Sequence, residues 1–391
     1  MTPATSLLDE AALRQILAEL GTQARAFRFE VAPNPCVGAA VIANGSVIAR
    51  GYHRNWGRDH AEVDAIGAAG KTAMPKSEWD TLLITLEPCS TAGKTPACTD
   101  LILSTGIRRV VAGALDPDPR HRGRGLELLR AAGIEVELLE GTTPLSEIAP
   151  YFLDWLAPER VSRPRPWIIA KWAQTRSGQL SPPLEHAAGR WISGQPARDE
   201  VQVLRSHVDA IVTGIGTVLA DDPRFSVRPP GDPSHPPLRV VLDSDLRTPP
   251  NARLFEPPGP GEGAGELHVL CRAGANAIRH RALESAGAQI WGLHATDMEH
   301  LRLFDIADWL WQRGARRVLL EAGPQLLESC FAAGGVDQVR VITGNVNGGR
   351  GESMARRMSR LRFSERLDRE CGEDSVLEAM VSRTRPYGLN S

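Results

Sequence analysis

The chain has 391 residues, 42% hydrophobic and 24% charged, a balance that predicts a soluble globular protein of two or three domains. Basic and acidic residues nearly cancel (45 against 47), so no basic field exists to hold nucleic acid nonspecifically, and no apolar run approaches the roughly 20 residues of a membrane span. The acidic, amphipathic N-terminus is unlike a signal peptide, and six cysteines in so long a chain are no disulfide framework, so a cytoplasmic protein with reduced thiols is expected.

From Leu7 to about Ala26 apolar residues recur every three to four positions, which predicts an amphipathic helix. Two strands then flank Asn44-Gly45, the dipeptide of a two-residue hairpin turn. After them helix and strand alternate. Helices are predicted over His60–Ala69, Pro96–Ser104 (proline in its first turn) and Gly125–Ala132, and strands over Thr81–Leu86, Arg108–Ala114 and Glu135–Leu138. APERVSRPRP, Ala157–Pro166, breaks all periodicity with three prolines and alternating charge. It is expected to be a linker, over residues 157–166, between a first domain of 1–156 and a second of 167–391.

The second half begins at WIIAKWA and predicts further strands near Ala210–Thr213, Leu238–Leu242, Glu266–Leu270 and Arg317–Leu320. Helices fall between them at Ala197–Arg205, Ala275–Ala286 and Leu301–Arg313. Glu256–Gly265, EPPGPGEGAG, reads as a flexible loop. Beyond Asn345 the pattern weakens into a polar, charged stretch expected to pack loosely, apart from a short strand near Val376–Val381. Both halves are therefore α/β.

Chemistry concentrates in the first half. Zinc takes neutral imidazole and thiolate ligands, and a catalytic zinc keeps one tetrahedral position open for water. His60 starts a helix, Cys89 follows a strand at EPC, and Cys98 lies in the first turn of the next helix. Helix N-termini favour the thiolates that zinc needs. Glu62, two residues after His60, is placed to carry the proton of a zinc-activated water, the division of labour of zinc deaminases. Taken singly, each residue has a plainer reading: a capping histidine, or cysteines as small buried hydrophobes. The four in order, each at an element end, point to zinc. A structural zinc would need a fourth protein ligand, for which His53 is the one nearby candidate.

In the second half no G-x-G-x-x-G follows a strand, so a standard dinucleotide-binding unit is not indicated. Gly214 and Gly216 allow close backbone approach, Gly323 opens a helix whose N-terminus could take a phosphate, and Arg198, Arg205 and Arg228 are candidate phosphate contacts. For each, an ordinary turn or a solvated helix face is at least as good a reading.

PNPCVGAAVI, GYHRNWGRDHAE, TLEPCSTAGKTPAC and DPDPRHRGRG, in this order, resemble the deaminase half of the bifunctional riboflavin-biosynthesis deaminase/reductases. KWAQTRSGQL, RVVLDS and LLEAGPQLLESCF, with the long stretch between Arg190 and Arg228, resemble the reductase half. The resemblance implies a cytidine-deaminase-like three-layer domain followed by a dihydrofolate-reductase-like domain. It implies one zinc per chain, NADPH, and a small phosphoribosyl pyrimidine as substrate, deaminated and then reduced at its ribosyl group. By the same resemblance Asn34 would hydrogen-bond the pyrimidine and Lys94 would approach the ribose phosphate. Cofactor contacts would fall to Ala173, Trp191, Thr217 and Asp221, and to the turn Gly323, Pro324, Gln325, Leu326, Leu327, Glu328 and Ser329. Substrate contacts of the reductase would fall to Gly189, Arg205, Phe225, Arg228, Ser244 and Glu321, with arginines gripping the sugar phosphate bidentately. A homo-oligomer is expected, with neither nucleic acid nor membrane as partner.

The family's pattern is broken at three places. Thr91 stands for a histidine, Ser177 and Gln179 stand for an aspartate and a lysine, and ITGNVNGGRG loses a proline and an apolar run. An active deaminase joined to an impaired reductase-like domain is the alternative these departures raise.

Overall fold

In the computed structural model, Gly38–Ala43 (β1) turns Ala39, Val41 and Ala43 to one face and Ala40 and Ile42 to the other, all buried. A strand apolar on both sides must be covered on both, and this one is. Helix α1 (Glu10–Ala24) lays Leu13, Leu17 and Leu20 on one side, each side chain's burial favouring the fold by about 2 kcal/mol. Helix α2 is a single turn, Arg28–Val31. On the opposite side lie α3 (Ala61–Ala69), α4 (Cys98–Thr105) and α5 (Arg124–Ala131), through Ala65, Ile102 and Leu129. The result is three layers. The structure describes residues 8–94, 96–186, 189, 191–293, 301–354, 359 and 361–382. It divides into two compact units, Met1–Val161 and Ser162–Ser391.

The sheet of the first unit runs β2–β1–β3–β4–β5, where β2 is Ser46–Tyr52, β3 Trp79–Ile84, β4 Arg109–Ala112 and β5 Glu135–Leu138. β1 is antiparallel to β2 and β3, and β3, β4 and β5 are parallel. Asn44 and Gly45 both take positive φ (51° and 70°), as the tight hairpin turn requires. Gly51 is needed for a different reason: a Cβ there would stand 2.1 Å from the Ala65 backbone nitrogen, so only glycine lets β2 approach α3. The unit ends in short helices α6 (Leu145–Ile148), α7 (Pro150–Trp155) and α8 (Pro158–Ser162). The last falls inside the stretch expected to be a linker. Proline is tolerated in a first helical turn, where its missing N–H costs nothing, so Pro158 starts α8 rather than preventing it.

The second unit is built on strands β6 (Trp167–Gln174), β8 (Ala210–Gly214), β9 (Leu238–Leu242), β10 (Leu267–Arg272), β11 (Gln289–Leu293), β12 (Arg317–Glu321), β13 (Gln338–Thr343), β15 (Phe363–Cys371) and β16 (Asp374–Val381). They form one sheet in the order β11–β10–β9–β8–β12–β6–β13–β16–β15. It is parallel from β11 to β13 and antiparallel at β16 and β15. Between the strands run α9 (Gln195–Arg205), α10 (Ile215–Asp221), α11 (Ala277–Ser285), α12 (Leu303–Gln312) and α13 (Pro324–Ala332). Trp309 and Leu310 of α12 and Leu327 of α13 close the core over Ala170, Val212 and Leu320. Arg165 and Asp337, both buried, form a two-pronged ion pair (2.7 and 2.8 Å) that fixes the start of β6 against β13.

The polar tail is the clearest correction. Residues expected to pack loosely beyond Asn345 instead form β15, and Arg350–Ser353 (β14) pairs with β7 (Gln179–Ser181). Burial along β15 alternates strictly, and Arg369, on the inward face, pairs with Glu200 of α9 and with Glu378 of β16. Charge there is neutralised by partners on two other elements rather than solvated.

Candidate active sites

Each zinc-type ligand sits where an element begins or ends. His60 is the residue capping α3, in extended conformation (φ −74°, ψ 166°), Cys98 is the first residue of α4, and Cys89 lies in the loop leaving β3. The buried Glu87 carboxylate locks that loop by accepting the backbone N–H groups of Asp116 (3.1 Å), Gly123 (2.8 Å) and Gly125 (2.9 Å). A Cβ at 125 would lie 2.0 Å from the Pro88 carbonyl oxygen, so glycine is required where α5 meets the loop.

His60 Nδ1 stands 3.6 Å from Cys89 Sγ and 3.3 Å from Cys98 Sγ, and the three ligand atoms lie within 4.8 Å of one another. Tetrahedral zinc, with bonds of about 2.0 Å to nitrogen and about 2.3 Å to sulfur, holds such atoms about 3.5 Å apart. The donor set fits. Hydrogen bonding from Cys98, and then from His60, draws the Cys89 thiol down to about 4 against the effect of burial, while the Cys89 sulfur and burial push Cys98 upward. One sulfur is thus ready as thiolate, and a divalent cation would ionise the other.

Glu62 is 3% exposed, and burial raises its carboxyl pKa while His60 opposes the rise. A cavity of about 370 Å³ opens onto Glu62, His60 and Cys89, walled by Asn34, His53, Trp56 and Lys94. His53 is not a fourth ligand. Its Nδ1 lies 2.9 Å from the Asp59 carbonyl oxygen and its Nε2 3.2 Å from the Asn34 amide nitrogen. Among the described residues the metal-type cluster has three members, which leaves a coordination position for water.

The second constellation gathers at the C-terminal end of β12 and the middle of the neighbouring β6. Glu321 receives the Arg205 guanidinium through both oxygens (2.7 and 3.1 Å), and Lys171 Nζ lies 3.7 Å away. Burial alone would raise the Glu321 pKa, but Arg205 and Lys171 bring it down to about 2. Burial lowers the Lys171 pKa, and Glu321 opposes this. The Arg205 guanidinium stands 5.4 Å from the centre of the Phe225 ring. Its fork meets Glu321 and the Ser226 carbonyl (3.3 Å).

The turns opening α10 and α13 meet. Thr217 Oγ1 is 3.8 Å from where a Gly323 Cβ would stand, and Leu326 lies against Gly214. Gly323 caps α13 with Pro324 in the first turn, so its first backbone N–H groups have no partner within the helix. Leu327 is fully buried in the core, whereas Gln325, Glu328 and Ser329 are exposed. Asp221 ends α10, exposed, and Arg228 is exposed with its backbone N–H on Gln202. Ala173 packs against the small cluster of Ala197, Val201, Ile342, Cys371 and Val376, Ser244 is half-buried past β9, Gly189 takes φ +64°, and Trp191 is 45% exposed with Arg198 over its ring. Lys171 escaped the sequence reading. Its one signal was a lysine in the middle of an otherwise apolar strand.

Residues 14–114 match the cytidine and deoxycytidylate deaminase zinc-binding region, and residues 166–362 match the RibD C-terminal domain. The riboflavin biosynthesis protein RibD of Aquifex aeolicus is 34% identical over 310 residues, 79% of this chain and 80% of that protein. That of Escherichia coli is 32% identical over 328 residues, covering 80% and 82%. The chain belongs to the RibD family. It is a bifunctional enzyme of riboflavin biosynthesis, with a zinc-binding deaminase domain followed by a reductase domain.

Among solved structures, Acinetobacter baumannii RibD superimposes with a TM-score of 0.63 at 26% identity, covering 96% of this chain and all of that one. A Thermotoga maritima protein described as a diaminohydroxyphosphoribosylaminopyrimidine deaminase/5-amino-6-(5-phosphoribosylamino)uracil reductase gives 0.62 at 26% identity, covering 94% of this chain and 99% of that one. The reductase match spans the departures at Ser177 and Gln179, so a noncatalytic second half is not favoured. No helix among the described residues is long and apolar enough to cross a membrane.

Proposed function

We propose that the first unit deaminates 2,5-diamino-6-ribosylamino-4(3H)-pyrimidinone 5′-phosphate and that the second reduces the ribosyl group of the product to ribityl with NADPH. The observation that carries the first step is the convergence of His60, Cys89 and Cys98 beside the buried Glu62. Zinc bound there supplies Lewis-acid activation of water for attack at the amino-bearing ring carbon. Glu62 accepts the water's proton on a carboxylate oxygen and delivers it to the departing amine; a buried carboxyl with a raised pKa is suited to hold it between the two events. Asn34, steadied by His53, orients the pyrimidine, and Lys94 faces the ribose phosphate.

In the second unit the cofactor supplies hydride to the sugar carbonyl carbon. The α13 N-terminus and Thr217 form its cradle, and the charged Glu321, held by Arg205 and Lys171, positions the substrate. We place the enzyme in the cytoplasm, where zinc-ligating thiols stay reduced. A coupled assay on the purified chain tests the reading. Ammonia release is expected on adding the substrate to the zinc-loaded protein, followed by loss of NADPH absorbance. Ammonia without NADPH oxidation refutes the second step, and no ammonia refutes the first.

A further inference from the structure

The deaminase cavity is walled on one side by an element far along the chain from the zinc ligands. Phe152 of α7, and Leu156 just past it, line the cavity. Beside them Tyr151, 4% exposed, sends its hydroxyl to the Asn34 carbonyl oxygen at 2.9 Å, with Cys36 Sγ 3.3 Å away. A phenol has one proton and a carbonyl oxygen only accepts, so that proton goes to Asn34 and the Cys36 thiol donates to the phenol oxygen. Asn34 lies in the segment between α2 and β1, which is tied down elsewhere as well. Its own N–H bonds to the Val31 carbonyl (3.0 Å), and the Val37 carbonyl accepts the His53 N–H (3.0 Å). The Asn34 amide is fixed separately. His53 Nδ1 faces the Asp59 carbonyl oxygen, so in the neutral ring Nδ1 carries the proton and Nε2 accepts an N–H of the Asn34 amide.

We propose that Tyr151 is a positioning residue of the deaminase: from α7 it fixes the Asn34 backbone, so that the Asn34 amide is set in place before the pyrimidine arrives. The proposal rests on the assignment of Asn34 to the pyrimidine. A loop residue ordered beforehand loses less freedom on binding, and a small displacement of a group that orients the substrate costs turnover as well as affinity. The Tyr151 hydroxyl grips the main chain, so its bond forms whichever side chain stands at 34. Its value to the reaction, however, passes through that side chain alone. A phenylalanine at 151 would keep the ring that packs in α7 and remove only the partner of the Asn34 carbonyl.

The test is kcat/KM for ammonia release by the zinc-loaded full chain, measured for Tyr151→Phe, Asn34→Ala and the double variant. Tyr151→Phe is expected to lower kcat/KM about five-fold, with zinc content by metal analysis unchanged from wild type. Asn34→Ala should lower it further. Adding Tyr151→Phe to Asn34→Ala should then change it by less than about twofold, because two residues that act as one unit are not additive. An undiminished loss on top of Asn34→Ala, or no loss in Tyr151→Phe alone, overturns the proposal. So does loss of zinc or of helical circular dichroism in Tyr151→Phe, since the hydroxyl would then support the domain rather than Asn34. Should Asn34→Ala release too little ammonia to measure, the same cycle is read by calorimetry as substrate dissociation constants in proteins that also carry Glu62→Gln, and the same outcomes decide. The two layers separate cleanly. Unchanged kcat/KM in Asn34→Ala means that the assignment of Asn34 fails and the proposal with it; an impaired Asn34→Ala with an additive Tyr151→Phe refutes the positioning role alone.

Discussion

The zinc centre and the Arg205–Glu321–Lys171 cluster both hold ionisable groups away from water, but they settle the charge in opposite ways. In the first unit His60, Cys89 and Cys98 cluster beside the buried Glu62, and the arrangement is suited to a cation from outside the chain. In the second unit the carboxylate already has two cations from the chain itself, on β6 and α9. A site awaiting a metal should lose function when altered, with little loss of fold. A self-neutralised cluster should lose fold as well, because removing one member strands the others.

The largest effect is expected at Glu62. Glu62→Gln leaves the three ligands in place, so zinc content by metal analysis should remain one per chain while ammonia release falls by about 10²–10⁴-fold, the usual worth of a positioned proton carrier. NADPH oxidation with the deaminated intermediate should be unaffected. Zinc loss in this variant would show that Glu62 supports the site structurally, and the contrast between the two regions would fail.

Glu321 should behave in the opposite manner. Glu321→Gln leaves Arg205 and Lys171 buried without their carboxylate, at a cost of about 3 kcal/mol in chemical unfolding of the second unit. The sign of its pH dependence follows from the shift. A carboxyl held at about 2 when folded, against 4.5 ordinarily, contributes stability that is present above the ordinary value and lost as pH falls through the folded one. The gap between wild type and variant should therefore be full at pH 7 and shrink from about pH 4.5 toward 2. A gap independent of pH would mean that packing, not charge, is what Glu321 provides.

The same contrast explains what could be read from the sequence. The zinc ligands are residue types with few other reasons to stand together, each at an element end marked by proline or a strand-to-helix switch, so local pattern located them. The α/β alternation was legible for the same reason, since a strand covered on both faces, such as β1, is a continuous apolar run. Lys171 and Glu321 are 150 positions apart and meet only because β6 lies beside β12, with Lys171 opposite Glu321 in register. Strand order is a property of the whole sheet, and no window of sequence contains it. Nor could the commitment of Arg205 to Glu321 be seen, because an arginine on a helix face reads the same whether it meets solvent, phosphate or a buried carboxylate. β15 hid for a related reason: charge was read as solvation where Glu200 and Glu378 supply partners for Arg369.

The smallest effect is expected at the departures from the family pattern, and it bears on the same distinction. Thr175, Ser177 and Gln179 form an uncharged hydrogen-bonded turn between β6 and β7, with Ser177 Oγ donating to Gln179 Oε1 at 2.5 Å and the Gly178 N–H closing on Thr175. Ser177 is exposed, so an aspartate there would stay hydrated and an ion pair with residue 179 would be screened. Ser177→Asp combined with Gln179→Lys should accordingly change unfolding free energy by less than about 1 kcal/mol, well below the Glu321 effect although both lie in one unit. NADPH oxidation should stay within about threefold of wild type, because an exposed charge exchange at this turn leaves the buried Glu321 cluster intact. A tenfold or larger gain in oxidation rate would show instead that the missing charges act on the reaction, and that exposure is a poor guide to which ion pairs matter in this unit.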